Sequence, residues 1–352
     1  MKATLTIITI ILLFLSTFAY SENLYTAKTA GLQSQYVVKE GKKYNIISIP
    51  FIKPSVINGD IEAVDHTNKC LVDDDKSFTS LPPENDYIIR LTSGEMKGTW
   101  YLISTKKRRK SMSASPNSIT VDLSKSSKPD LTGISEKDTY SIHPLYDLAE
   151  LFPEDGSILP AANFDYDSGR IQFISNSQKT TLWLSNGKMT DQKGWMKMSG
   201  NNVNLKVDHF SILPGMAMIV FHPKPEKSIY ISIPGQVLDS PLAKPIYPGE
   251  NLVSIEYLLL PSELSGQISY SLDELKLIES GFQSGRTIDE SDTLKIWDDM
   301  TSKYSGNIWL FKNDAGNVEW LTENYLPVSN MEVRAGSGMV ICNKGIRYSW
   351  IK

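Results

Sequence analysis

Four histidines, two cysteines, seven tryptophans and 40 acidic residues are the side chains of this 352-residue chain with the means to do chemistry. Their spacing is unpromising for catalysis. His66, His143, His209 and His222 stand singly, without the HExxH pattern that places two imidazoles on one metal. No G-x-S-x-G turn presents a nucleophilic serine, and "AGSGM" at 335–339 reads as a glycine turn. Phosphate-cradling and dinucleotide-binding glycine loops are missing too. With so many carboxylates, a pair at glycosidase spacing would arise by chance, so its presence would decide little. The oxygen-rich runs "DDDK" (73–76) and "DYDSGR" (165–170) do not follow the EF-hand order, and a calcium ion needs six to eight oxygens. They read as solvated loops, with a calcium site as the alternative. The expectation is a non-enzymatic protein with no catalytic residue, metal or cofactor.

Binding chemistry is better represented. "KKRRK", Lys106, Lys107, Arg108, Arg109 and Lys110, joins two expected strands and reads as a solvated hairpin tip. Its functional alternative is an anchor for acidic polysaccharide or lipid phosphate through the forks of the two arginines. Nucleic acid is not expected, because no aromatics interleave with the basic run and the net charge is only -4. Trp183, Trp195, Trp297 and Trp309 are the candidate glycan contacts, since an indole face stacks on the apolar face of a sugar. The same residues also suit packing, because Trp183 to Trp195 and Trp297 to Trp309 repeat one twelve-residue interval, and a place shared by two copies favours burial. Cys70 and Cys342 would be free to pair in an oxidising compartment, closing a long loop. A lone buried thiol in the apolar run "GMVIC" is the other reading of Cys342.

The elements that position these residues are strands. Gly and Pro are plentiful, Val, Ile, Thr and Tyr fall in short runs, and long helical periodicity is missing, so an all-β, β-dominated fold is expected. "NIISI" (45–49) is answered by "NLVSI" (251–255), and "PGMAMIVF" (214–221) by "AGSGMVIC" (335–342). With the tryptophan pairs these landmarks recur in one order, the signature of two related β-sandwich-like units. From Asn45 to Gly215 is 170 residues, but from Asn251 to Gly336 only 85. The first unit, residues 22–236, is therefore expected to carry an inserted small β module at about residues 85–155. Residues 237–250, with three prolines, read as the linker, and 251–352 as the second unit. Two short helices are expected, one in "PLYDLAELFP" (144–153) and one over 272–280, the latter capped by Ser271 and Glu274. The first residues, MKATLTIITIILLFLSTFAYS, combine a lysine, an apolar run and a small-x-small site. They read as a signal peptide over 1–21, with a retained anchor as the alternative. No second apolar run reaches the ~18 residues of a membrane span. The mature chain is thus expected in the periplasm, on the outer cell surface or outside the cell.

The order N-[IL]-[IV]-S-I, a tryptophan-bearing hairpin, then P-G-x-[AG]-M-[IV] resembles the repeats of exported bacterial surface proteins, in which "NLVSIP" opens the unit and "PGQGYWV" closes it. Over about residues 30–345, including "YIIRLTSGEMKGTWYLIS" and "DTYSIHPLYDLAELFP", the chain is similar to a family of uncharacterised exported proteins of verrucomicrobial-type bacteria. It departs from the closing pattern at Met339, where an aromatic would follow Gly338. The resemblance implies a tandem β architecture and carries no activity. The functional expectation is a cell-envelope or extracellular structural or interaction protein, whose partners would be envelope or extracellular polysaccharide or other surface proteins. The alternative is a carbohydrate-binding module acting beside secreted polysaccharide-degrading enzymes.

Overall fold

The computed structural model describes residues 30–351 except 39, 42, 104–115, 189–191, 199–203, 227, 239, 256–268, 299–300 and 329–330. The expected signal peptide and Lys106, Lys107, Arg108, Arg109 and Lys110 lie outside the described residues. Within them the chain is all-β, with antiparallel sheets and two four-residue α-helices.

The first copy opens with β1 (Ala30–Val38) and β2 (Tyr44–Ser48). Seven strands of the insertion follow: β3 (Ile57–Asp60), β4 (Ala63–Asp65), β5 (Cys70–Val72), β6 (Tyr87–Leu91), β7 (Trp100–Ile103), β8 (Ser118–Asp122) and β9 (Thr139–Pro144). The first copy then resumes as β10 (Tyr146–Asp147), α1 (Leu148–Leu151), β11 (Arg170–Ser175), β12 (Gln178–Asn186) and β13 (Lys193–Met198). It closes with β14 (Asn204–Lys206), β15 (Ser211–Ile212), β16 (Ala217–Phe221) and β17 (Ile229–Gln236). The second copy comprises β18 (Lys244–Ile246), β19 (Gly249–Ser254), β20 (Ser269–Ser271), α2 (Leu277–Ser280), β21 (Thr293–Asp298) and β22 (Lys303–Tyr304). Its last strands are β23 (Ile308–Lys312), β24 (Val318–Thr322), β25 (Glu332–Arg334), β26 (Gly338–Asn343) and β27 (Tyr348–Trp350).

The two copies share one topology. Their main sheets run β14-β13-β12-β11-β16-β2 and β24-β23-β21-β26-β19. Beside each lies a two-stranded ribbon, β1-β17 or β18-β27, and a smaller one, β10-β15 or β20-β25. Register makes the match residue by residue. Asn45 faces Val220, which faces Ile171, which faces Leu182. In the second copy Asn251 faces Ile341, then Leu294, then Ile308. Following the ladder, Trp309 answers Trp183 and Trp320 answers Trp195, while Trp297 answers Ile174. The twelve-residue interval misassigns the pairs by one strand, because the extra β21–β22 turn lengthens the second copy just where Trp297 sits.

Alternation decides which faces are buried. Ile47, Ile171, Phe173, Leu182, Leu184, Trp195 and Val220 point into the core of the first copy. Leu294, Ile308, Leu310, Trp320, Met339 and Ile341 do the same in the second. The Trp195 indole donates to Phe152 O at the end of α1 (3.1 Å), and Trp320 donates to Asp273 Oδ1 (3.0 Å). Each therefore ties a helical turn to its sheet.

Boundaries differ from expectation in four places. The inserted strands span Ile57 to Pro144, earlier than 85–155, because β3 to β5 are only three or four residues long and carry little period-2 signal. They build their own core in a sheet ordered β3-β9-β6-β7-β8-β5-β4, around Leu71, Ile89, Tyr101 and Ile142. Residues 244–246 of the expected linker are β18, which pairs with β27. The helix expected over 272–280 is broken at Lys276, whose φ of 50° is left-handed; the Ser271–Glu274 box is present, with Ser271 N donating to Glu274 Oε2 at 2.7 Å. In "PLYDLAELFP" the cap is Asp147, not Pro144, with a full capping box to Glu150.

Candidate functional site

Burial answers the question of the tryptophans. Trp183, Trp195 and Trp309 are at most 1% exposed and Trp297 is 9% exposed. None of the four offers an open indole face for a sugar, so the glycan-contact alternative, set beside packing for the same residues, is corrected. The core takes Trp195, and Trp309 is enclosed by the edges of Phe311 and Tyr325. Trp297 is committed to the joint between the copies, where its Nε1 donates to Asn45 Oδ1 at 3.3 Å.

That joint is built from equivalent positions of both sheets. Ile46, Ala217 and Ile174 of the first meet Leu252, Val340 and Trp297 of the second, with Ile219 packed beside them. Gly338 stands where the first copy has Ala217, against Ile46. The outer faces of the two sheets thus cover one another as a two-fold dimer interface would.

Of the two readings of the cysteines, pairing is corrected, since both are free. Cys70 lies in the insertion's sheet, its Sγ 3.2 Å from Thr120 Oγ1, and Cys342 lies in the main sheet of the second copy. Within "DDDK" Asp73 is engaged through its carboxylate: it is buried and accepts from the Tyr140 hydroxyl (2.7 Å) and from Asp75 N (3.1 Å). Among the described residues no group of three His, Cys, Asp or Glu side chains converges as a metal site would require.

One cluster that sequence reasoning missed has the distances of a catalytic relay. Ser211 Oγ is 2.9 Å from His209 Nε2, and His209 Nδ1 is 2.6 Å from Asp147 Oδ2. A nucleophile, a base and an orienting carboxylate are arranged in this way in serine hydrolases. Here, however, Ser211 Oγ donates to Asp86 Oδ2 at 2.8 Å. That carboxylate places negative charge beside the oxygen where a tetrahedral oxyanion would need donors. Asp86 belongs to the insertion, while Asp147, His209 and Ser211 belong to the first copy. The arrangement is a polar clasp between modules. Its sequence signal was the short-range pair His209-x-Ser211, which the loop entering β15 brings opposite the helix cap at Asp147.

Open surface remains where the two sheets do not overlap. On the outer face of the first sheet, Tyr44 faces Phe221, Phe221 faces Arg170 and Arg170 faces Trp183, forming one cross-strand row. Tyr44 is half exposed, and the Arg170 guanidinium lies 4.0 Å from the centroid of Phe221. The next row supplies Ile219, Gln172 and Thr181, with Gln172 Nε2 donating to Thr181 Oγ1 at 3.0 Å. Tyr44, Phe221 and Arg170 line, with this second row, a shallow groove of about 270 Å³. A second groove, of about 440 Å³, flanks the joint in the second copy between Asp298, Lys303, Glu332 and Arg334. Its floor includes Tyr304, whose hydroxyl is pushed well above its ordinary range by burial and, secondarily, by Glu250. Where the insertion meets both copies, an open cleft of about 230 Å³ is lined by Trp100, Lys125, Met216, Lys244 and Leu252. Among the described residues no helix is long and apolar enough to cross a membrane. Comparison of the chain with protein-family models, curated proteins and solved structures finds no match.

Proposed function

We propose that this chain is an exported, non-enzymatic interaction protein of the cell envelope or extracellular space. The leader-like N-terminus supports export, and the resemblance to surface-protein repeats supports the site of action. The observation that carries the reading is how the chemistry-bearing residues are spent. The tryptophans are used for packing and the Ser211–His209–Asp147 relay is closed by Asp86, while aromatic and cationic groups line open sheet faces. Such faces suit contact with extended partners better than turnover of an enclosed substrate.

The carbohydrate-binding alternative is supported by one surface, the Tyr44–Phe221–Arg170 row, in place of the tryptophans. Co-sedimentation of the purified protein with washed envelope fractions and insoluble polysaccharides tests the main reading. Retention on one of these, without hydrolysis of ester or glycoside reporters, is expected. Hydrolysis abolished by Ser211→Ala would overturn it.

A further inference from the structure

We infer that the outer-face groove of the first sheet is a binding site for the carboxylate-bearing sugar units of an acidic polysaccharide. The inference rests on the interaction-protein reading and names the ligand of one of its surfaces. Arg170 lies over the Phe221 ring, 4.0 Å from its centroid. A guanidinium lying over a ring spends its face there and keeps its N–H donors at its in-plane edge, where two of them can donate bidentately to a carboxylate. Among the described residues no carboxylate lies within salt-bridge distance of Arg170. Its fixed charge therefore lines the groove without a carboxylate counter-ion among the described residues.

The neighbours of Arg170 fit the rest of such a sugar unit. Tyr44, half exposed and 4.9 Å from Phe221, offers an aromatic face to the apolar C–H face of a pyranose. Gln172 and Thr181 engage each other through one amide N–H, which leaves an amide oxygen, a second N–H and the threonine hydroxyl for sugar hydroxyls. A groove of about 270 Å³, shallow and open along the sheet, has room for one ring of a longer chain. A bare phosphate would satisfy Arg170 but leave Tyr44 idle, and a neutral sugar would leave the guanidinium unused.

Calorimetric titration of the full chain with trigalacturonate, methyl-esterified trigalacturonate and tetraglutamate tests this. The methyl ester keeps the ring and removes the charge, and the peptide keeps the charge and removes the ring. Trigalacturonate should bind, at least tenfold more tightly than either comparison ligand and more weakly as salt rises. Arg170→Met, which retains the stem over Phe221, and Tyr44→Ala should each weaken binding at least tenfold while leaving the melting temperature unchanged. Equal binding of the methyl ester, preferred binding of tetraglutamate, or wild-type affinity in Arg170→Met would overturn the assignment. Absence of trigalacturonate binding while envelope retention persists would overturn this site alone and leave the interaction reading standing.

Discussion

His143 is the clearest case of a residue whose surroundings fix its chemistry. It is 1% exposed, with Nδ1 2.7 Å from Lys53 O and Nε2 2.7 Å from Ser141 Oγ. A carbonyl only accepts, so the hydrogen sits on Nδ1, and Nε2 accepts from the serine. Burial, with a smaller contribution from the Arg90 charge, pushes the imidazole down to about 4, although the Lys53 hydrogen bond acts the other way. In the unfolded chain it titrates near 6.5. The folded form thus binds the proton less readily, and its stability advantage is complete above pH 6.5 and disappears as pH falls towards 4. The span corresponds to roughly 3 kcal/mol. Urea unfolding at pH 7 and pH 4.5 should show this loss in the wild type and a smaller loss in His143→Gln; equal losses would refute the assignment. The thiols give a second check. Both cysteines are free, so the denatured protein without reductant should release two titratable thiols, against none for a bridge.

Among the strands, the self-complementary joint turns on one small residue. A Cβ added to Gly338 would overlap Ile46 Cγ2 and stand 3.3 Å from the Ala217 Cβ, in a place where the first copy tolerates alanine. Gly338→Ala should cost about 1–3 kcal/mol by forcing the sheets apart. Combining it with Ile46→Ala should cost at least ~1 kcal/mol less than the sum of the single changes, a coupling that a denaturation cycle measures. Additive losses would mean the sheets do not meet there. The duplication behind this joint was legible in "NIISI" and "NLVSI", because buried central strands write their apolar pattern directly. Register was not legible, so Trp297 was matched with Trp183 although it occupies the place of Ile174. Charge and burial at the groove escaped for a similar reason. Tyr44, Arg170 and Phe221 are up to 177 positions apart and become neighbours only through strand order 11-16-2.

At the scale of the molecule, the insertion works as a brace. Its Trp100 Nε1 donates to Ala243 O (2.7 Å), and Ala243 N donates to Gly98 O (3.0 Å). The second copy reaches back through Ser349 Oγ to Ser127 O (2.6 Å) and Tyr247 Oη to Ser124 O (3.1 Å). On the other flank Asp86 joins the His209 and Ser211 clasp of the first copy. Apolar packing of Ile88 and Trp100 on Leu238 and Leu242 seals the connection between copies. Three cores bonded in this way have little reason to unfold separately, although a chain of this size often does. Cys70 reports on the insertion and Cys342 on the second copy, so thiol-labelling rates in rising urea read the two regions independently. Both rates should rise at one urea concentration. Trp100→Phe keeps an aromatic ring but removes the indole N–H and leaves the buried Ala243 carbonyl without that donor, at a cost of about 1–3 kcal/mol. Because that bond crosses between the insertion and the segment joining the copies, its loss should bring Cys70 exposure ahead of Cys342 exposure. Exposure of Cys70 well before Cys342 in the wild type would show instead that the insertion folds as an independent domain, and the brace would be discarded.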